Sequence, residues 1–217
     1  MRRILDVIFP NRCIGCQRMI EPEAVICWAC TFQVPFTHDT FGDRNLLYER
    51  CAEQIPLHNA YALMYYQKIG LSRKLIHQLK YHGMSRLGRW FAYEIAERME
   101  PKDIEAIVTI PLHPKKQRQR GYNQLHLLAD TLSELWQVPH LPQALKRNFY
   151  SKPQAKKDQT HRKALTNLFS LDQPPEVQHL LVIDDVYTTG STMKNAAEAL
   201  LNGTDYQLSI LVLAVDE

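Results

Sequence analysis

An acid pair at the end of an apolar run is the segment of the sequence best suited to chemistry. Residues 180–183 have the length and β-branched content of a buried strand, and Asp184 and Asp185 follow directly. Open α/β sheets bind ligands at the carboxyl ends of their strands. Carboxylates accept hydrogen bonds from vicinal hydroxyl groups. The pair is therefore a candidate site for a sugar.

The loop after the acid pair has the composition of a phosphate-binding loop. It offers backbone N–H groups, four hydroxyls and a glycine that can adopt a positive φ angle. The candidate residues are Thr188, Thr189, Gly190, Ser191 and Thr192. A helix predicted over residues 192–201 would point its positive end at this loop. A ribose 5-phosphate needs both the acids and the loop; the alternative is that the acids mark only a solvated loop.

Four of the five cysteines form two Cys-x2-Cys pairs with ten residues between the pairs. These residues are Cys13, Cys16, Cys27 and Cys30. The spacing predicts a tetrahedral zinc site whose four positions are all filled by thiolates, which is typical of structural zinc. Disulfides are the alternative, but we find no secretory signal and therefore expect a reducing compartment. A segment this short needs such a metal to fold.

Two further residues could have joined the metal set. Cys51 best fits a buried thiol of the segment that joins the two parts of the chain, with a reserve zinc ligand as the alternative. His38 best fits a histidine of a surface loop, because the paired cysteines already fill four positions.

Size, composition and charge limit the class of protein. With 217 residues and 45% hydrophobic content, the chain can form one medium domain plus a small appendage, which excludes general disorder. The net charge of +3 does not by itself indicate nucleic acid. Seven basic residues against one acid in 146–163, and four in 115–120, suit phosphate, pyrophosphate or a nucleic-acid backbone. No apolar stretch approaches the ~18 residues of a spanning helix, so we expect a cytoplasmic protein.

Apolar periodicity predicts strands and helices that alternate along the chain. We predict a zinc-binding module with its connector over residues 1–56 and a second domain over 57–217. The predicted strands are 60–66, 104–110, 180–183 and 207–213, and the predicted helices are 71–79, 87–99, 123–136 and 192–201. This alternation predicts an α/β fold with a mostly parallel sheet covered by helices on both faces.

Two basic loops of this fold are further candidates for ligand binding. The loop 111–120 leaves the carboxyl end of a predicted strand, and its Arg118 and Arg120 can grip phosphate oxygens bidentately. Asn123 and Gln124 stand at the start of the next helix and are also predicted site residues. In contrast, Lys115 and Lys116 fit a solvated surface equally well. The long loop 147–167 has the composition of a lid that closes over pyrophosphate.

The combination of these features resembles the ComF family, a group of competence-associated, phosphoribosyltransferase-like proteins that includes the GntX-type relatives. The matching pieces, in chain order, are the four-cysteine module, Leu-Lys-Tyr at 79–81, Gln-Arg-Gly-Tyr-Asn-Gln at 119–124 and the signature at 184–192. The resemblance implies a type I phosphoribosyltransferase-like fold with a small N-terminal zinc-binding module. It also implies a role in natural transformation, with uptake and handling of single-stranded DNA in the cytoplasm. Competence-machinery proteins such as a helicase would be the partners.

The resemblance further implies binding of phosphoribosyl pyrophosphate (PRPP) with magnesium, and it makes Asp184 and Asp185 the catalytic residues. Additional residues implied in PRPP binding are Lys80, His113, Arg118 and Arg120. The residues implied as contacts of a lid or of DNA are Arg147, Gln154, Lys156, Lys157 and Arg162.

Thr188 occupies the position where related purine-salvage transferases carry a third acid, and threonine cannot act as a carboxylate base. This difference argues against purine salvage. The sequence does not identify an acceptor, so two hypotheses remain. The chain is either a phosphoribosyltransferase, or a non-catalytic DNA- or partner-binding factor that uses the PRPP site only for regulation or not at all.

Overall fold

The chain forms a four-stranded parallel sheet with helices on both faces, as predicted. The structure is a computed structural model that describes residues 10–81, 85–148 and 168–216. The strands of the sheet, in the order β1-β6-β5-β2, are β1 (Asn59–Tyr66), β6 (Gln207–Asp216), β5 (His179–Tyr187) and β2 (Ala106–Thr109). A separate antiparallel hairpin consists of β3 (Leu145–Arg147) and β4 (Phe169–Leu171).

Seven helices are described. They are α1 (Trp28–Thr31), α2 (Leu46–Ala52), α3 (Leu71–Tyr81), α4 (Ser85–Ala96), α5 (Pro114–Arg120), α6 (Gln124–Trp136) and α7 (Ser191–Leu201). Among the described residues, none of these helices has the length and apolar character needed to cross a membrane.

Successive residues of β5 alternate between two cores on opposite faces of the sheet. Leu181 and Ile183 belong to the first core, which packs against α3, α4 and α6. Leu180 and Val182 belong to the second core, which packs against α2, α7 and the β3–β4 hairpin. This period of two is that of a strand covered on both sides. It also decides where polar side chains at the end of β5 point.

The cysteine module (residues 10–36) packs into the first core. Its Cys13, Ile14 and Cys30 are buried in the same cluster as Tyr61 of β1. Lys74 of α3 donates to the carbonyl oxygen of Gly15 at 3.3 Å. The module therefore contacts the sheet and α3 directly, and the division of the chain at residues 56 and 57 stays a prediction.

Two segments predicted as irregular contain helices. The prediction of a connector over residues 31–56 is wrong at α2, where the Asn45 side chain caps the helix by accepting the N–H of Tyr48 at 2.9 Å. Leu47 and Cys51 then anchor α2 in the second core. A helix of seven residues, about two turns, with two buried positions is too short to show a clear periodicity in the sequence.

The segment predicted as the loop 111–120 is helical from residue 114 onward. Pro114 stands in the first turn of α5, where proline is favoured, and His113 is the N-cap. Gly121, at φ 78°, ends the helix in the left-handed conformation. The basic residues of this segment thus lie on a polar helix rather than on an extended loop.

The remaining differences concern lengths and short strands. The helix predicted over 87–99 spans Ser85–Ala96, and the strand predicted over 180–183 spans His179–Tyr187. Because β5 is longer, Asp184 and Asp185 lie within the strand rather than after it. The β3–β4 hairpin was not predicted, because strands of three residues carry too little alternation to be recognised.

Candidate functional site

The acid pair at the carboxyl end of β5 faces two different environments. Asp184 pairs in register with Val212 of β6, in the middle of the sheet. Asp185 points toward α3 and α6, where it contacts Lys80 and Gln124. Adjacent residues of a strand point to opposite faces, so the two carboxylates cannot make the same contacts.

Asp185 is held by a network that joins three helices. Its Oδ1 lies 2.8 Å from Lys80 Nζ, and its Oδ2 accepts a hydrogen bond from Gln124 Nε2 at 3.0 Å. Arg120 in turn donates to Gln124 Oε1 at 3.0 Å, and its guanidinium carbon lies 4.9 Å from the centre of the Tyr81 ring. Both oxygens of Asp185 therefore already have partners, and the network fixes the ends of α3, α5 and α6 relative to β5.

Asp184 lies on the side of the loop from Thr188 to Thr192. It lines a small concavity together with Val212 and the residues from Thr188 to Thr192. Its Oδ1 accepts the backbone N–H of Asp185 at 2.8 Å. Burial and the negative charge of Asp185 raise the pKa of Asp184 to about 7, against the opposing effects of that N–H group, Lys80 and Arg147. At neutral pH this carboxyl group is thus close to its titration point.

This raised pKa predicts a pH-dependent stability that depends on Asp184. From the ordinary value of 3.8 up to about 7, the folded protein keeps a proton that the unfolded chain has released. The contribution of Asp184 to stability is therefore full below pH 3.8 and declines as the pH rises toward 7. Asp184→Asn removes this decline. We therefore expect the difference in melting temperature, Asp184→Asn minus parent, to be larger at pH 8 than at pH 5. Thermal melts of the ligand-free proteins at both pH values test this, and the same difference at the two pH values would contradict it.

The loop between β5 and α7 has the backbone geometry expected of an anion-binding turn. Gly190 is the N-cap of α7 with φ 74°, and no side chain caps the helix. A Cβ atom at this position would lie 2.8 Å from Cζ of Tyr187, so the loop packs closely over that ring. Thr189 and Ser191 are exposed, with their hydroxyl oxygens 3.4 Å apart. Backbone N–H groups and hydroxyls therefore meet at the positive end of an 11-residue helix.

The other residues predicted to contact PRPP differ in what they contact in the structure. Lys80 and Arg120 belong to the Asp185 network, whereas Arg118 is exposed on α5. His113 caps α5 by accepting the N–H of Lys115 at 3.2 Å. Asn123, also predicted as a site residue, is buried, accepts the N–H of Leu125 and donates to the carbonyl of Ile110 at 3.1 Å. Asn123 is thus the N-cap of α6, and Gln124 is the residue that contacts the acid pair, at Asp185.

The residues predicted as lid or DNA contacts divide into two groups. Arg147 is half-buried at the end of β3 and donates to the carbonyl oxygen of Pro111 at 3.4 Å. The other predicted contacts lie outside the described residues; they are Gln154, Lys156, Lys157 and Arg162.

Tyr187 is a residue of the site that sequence reasoning missed. It is 4% exposed, packs beneath Gly190 and donates through its hydroxyl to the carbonyl of Arg50 at 3.2 Å. Its pKa is raised by burial and by the neighbouring Cys51 thiol. Cys51 is fully buried, in agreement with the interpretation as a core thiol. The only local signal for Tyr187 was its position three residues before the glycine.

The four paired cysteines converge on one point of the cysteine module. Their Sγ atoms all lie within 4.8 Å of one another, and those of Cys16 and Cys27 are 3.7 Å apart. Burial raises the pKa of Cys13, but N–H groups of the backbone at Cys16, Cys27 and Gly15 outweigh it and lower that pKa to about 6. For Cys30, burial and the neighbouring thiols raise the pKa to about 12. Four thiolates can share this space only with a cation among them, which is what zinc supplies.

Fold and sites together define an α/β protein with a candidate ligand site at the carboxyl edge of a parallel sheet and a four-cysteine zinc module. Residues 4–44 match the family described as the double zinc ribbon domain. This match supports the predicted structural zinc. The described part of this region contains a single cluster of four cysteines.

The chain is similar over most of its length to proteins named for competence and DNA utilization. It is 29% identical to DNA utilization protein YhgH of Escherichia coli K12 over 87% of this chain and 83% of the relative. Competence protein F of Haemophilus influenzae is 28% identical over the same shares. Competence protein ComFC of Bacillus subtilis is 23% identical over 84% and 80%. These homologues confirm the relationship to the ComF family that was predicted from the sequence.

The solved structures that the chain matches include two adenine phosphoribosyltransferases. The enzyme from Leishmania donovani is 12% identical and covers 81% of this chain and 82% of its own, with a TM-score of 0.35. The enzyme from Leishmania tarentolae is 10% identical, with 81% and 89% coverage and the same TM-score. Similarity this low carries no conclusion about fold or activity.

Proposed function

We propose that this protein is a ComF-type, phosphoribosyltransferase-like factor that binds PRPP with magnesium and acts in natural transformation. The observation that carries the proposal is Asp184 of β5 beside the glycine-capped start of α7. This arrangement provides acceptors for ribose hydroxyls and N–H donors for a phosphate within one concavity. The names of the homologues support a role in competence and DNA utilization. The handling of imported single-stranded DNA in the cytoplasm rests on the resemblance to the ComF family and is part of the proposal.

Each group of the site has a chemical role in this proposal. Asp184 accepts hydrogen bonds from ribose hydroxyls and offsets positive charge that develops on the ribose ring when pyrophosphate leaves. Asp185 keeps Lys80 and Gln124 in place at the same edge of the sheet. The loop from Thr188 to Thr192 holds the 5-phosphate.

Magnesium fits the donor set of this site, because hard oxygen ligands are what it prefers. The Asp184 carboxylate is the group of this chain that would hold it, with oxygens of the ligand as the further donors. When bound, the ion neutralises charge on the pyrophosphate and makes it a better leaving group. Burial keeps the pKa of Asp184 high, and it follows that cation binding should be accompanied by release of a proton near neutral pH.

Calorimetric titration of PRPP into the zinc-loaded protein with magnesium tests the proposal. We expect saturable binding by the parent and at least about a 100-fold weaker affinity for the double variant Asp184→Asn, Asp185→Asn, because a charged acceptor of the ligand and the partner of Lys80 and Gln124 are both lost. Asp205→Asn is the matched control, since Asp205 is exposed just before β6, at the opposite edge of the sheet. No binding by the parent would refute the PRPP site.

A second experiment distinguishes catalysis from the alternative, a non-catalytic DNA- or partner-binding factor. Release of pyrophosphate is measured with nucleobases, nucleosides and single-stranded oligonucleotides as acceptors. Turnover that Asp184→Asn removes supports a transferase. PRPP binding without turnover, together with binding of single-stranded DNA that falls steeply with salt, supports the binding factor.

A further inference from the structure

The exposed face of α3 carries a row of basic and aromatic side chains. Arg73, His77 and Tyr81 are spaced four residues apart, so they lie on one side of the helix, and all three are exposed. The row is about 12 Å long, at a rise of about 1.5 Å per residue. Near its first end Lys74 contacts the cysteine module, and near its other end Lys80 contacts the acid pair. The row therefore leads from the cysteine module to the candidate ligand site.

The helices α3 and α5 together form a strongly basic surface. Three residues of α3 and four of α5 are lysine or arginine, and neither helix contains an acidic residue. The guanidinium carbon of Arg120 in α5 lies 4.9 Å from the centre of the Tyr81 ring, so the two helices meet at the end of the row. Of the basic side chains that the structure describes on these helices, only Lys80 is in an ion pair. The other positive charges can therefore attract an anionic partner.

Tyr81 lies in the middle of a stack of three planar side chains. The centre of the His77 ring is 4.7 Å from that of Tyr81, with 38° between the ring planes, and Arg120 packs over the Tyr81 ring. Arg120 is itself held by its hydrogen bond to Gln124. Tyr81 nevertheless remains 62% exposed. An exposed ring that its neighbours keep in place loses little conformational entropy when it stacks on a planar ligand.

Single-stranded nucleic acid is the partner whose chemistry matches this surface. Its phosphates are attracted by a row of cations, and its bases stack on aromatic side chains. A duplex encloses the faces of its bases, so it could use the cations of the surface but not Tyr81.

We propose that the row of Arg73, His77 and Tyr81 binds single-stranded DNA, with phosphates along α3 and a base that stacks with Tyr81. The inference rests on the proposed function and names the surface that holds the strand. This surface lies on a helix, whereas the sequence pointed to the loop 147–167 for contacts with DNA. A strand bound along α3 would end at the edge of the sheet that carries the acid pair.

Fluorescence anisotropy with a short labelled oligothymidine tests the stacked base. Tyr81→Ala should weaken the affinity about 5- to 100-fold, which is the contribution of one stacked base, whereas Tyr81→Phe should bind like the parent. A strand of the same length without bases should bind equally to the parent and to Tyr81→Ala, because nothing is left to stack. If Tyr81→Ala weakens binding of both strands by the same factor, Tyr81 acts only through the fold and the stacked base is overturned.

The salt dependence of the same binding tests the phosphate contacts. Arg73→Gln should lower the magnitude of the slope of log affinity against log salt by about 0.7, the value for one phosphate of a single strand. Arg44→Gln is the matched control and should bind like the parent. Arg44 is exposed just before α2, which packs into the second core on the opposite face of the sheet. Melting temperatures and zinc content show that each variant is folded.

The outcomes for DNA and for PRPP are separable. Absence of oligonucleotide binding by the parent, or the same slope for Arg73→Gln and Arg44→Gln, would overturn the inference and leave the PRPP site intact. Arg73→Gln should bind PRPP like the parent in the calorimetric titration. A parent that binds the oligonucleotide but not PRPP would refute the PRPP site, while the effects of Tyr81→Ala and Arg73→Gln would still support this surface.

Discussion

Replacing Cys30 by serine is expected to release zinc and to unfold the cysteine module. Cys30 is 4% exposed and shares the first core with Leu75 of α3 and Phe91 of α4. Zinc binding by small cysteine modules corresponds to about 10–16 kcal/mol of apparent folding free energy. Loss of even about 4 kcal/mol would lower the melting temperature of a chain this size by about 8–16 °C. Because the module packs against α3, the effect should extend to the helix that carries Lys80.

Metal analysis and thermal melts check this expectation, with Cys51→Ser as the matched control. Cys51 is equally buried but lies in the second core, so its replacement should lower stability while one zinc per chain is retained. Treatment of the parent with a strong chelator should reproduce the effect of Cys30→Ser. If the Cys30→Ser protein keeps its zinc and has the same melting temperature as the parent, the Cys30 thiol is not a zinc ligand.

Alanine at position 190 is expected to destabilise the fold by about 2–5 kcal/mol and to distort the loop from Thr188 to Thr192. The left-handed conformation of Gly190 costs a residue with a Cβ atom about 1–2 kcal/mol. Crowding against a packed side chain adds about 1–3 kcal/mol, and Tyr187 has little room to move because it is buried and hydrogen-bonded to Arg50. The affinity for PRPP should fall along with the stability.

Gly203→Ala separates the two costs. Gly203 has φ 78°, close to that of Gly190, but a Cβ atom there would meet nothing within 4 Å. We therefore expect only the conformational cost, about 1–2 kcal/mol, and unchanged PRPP affinity. Denaturant unfolding of both variants measures the difference. Equal destabilisation of the two proteins would mean that Tyr187 moves aside without cost.

Structural features that depend on residues close together in the sequence were predicted well. The two Cys-x2-Cys pairs predicted a metal cluster, and the structure brings their sulfur atoms together. The alternation of apolar strands and helices predicted the parallel sheet with two covered faces. These patterns are local, so the residue types within a few positions contain the information.

Features that depend on distant contacts were predicted poorly. The helix α2 was predicted as part of a connector, because its two buried residues are stabilised only by contacts with the second core, which the sequence does not show. Lys80 was predicted as a PRPP contact and Arg147 as a lid or DNA contact, and both stay predictions. What the sequence did not show is that Lys80 pairs with Asp185 and that the half-buried Arg147 donates to the carbonyl oxygen of Pro111.

By itself, the sequence determined which chemical groups this protein has: a four-thiolate cluster, an acid pair at a strand end and a glycine loop before a helix. Only the tertiary structure decided how the acid pair is divided, with Asp185 tied to Lys80 and Gln124 and Asp184 facing the loop. The physical reason is that a spacing along the chain specifies a turn, a helix or a strand. The partner of a charge depends instead on which elements pack together, and burial of apolar side chains in the two cores decides that.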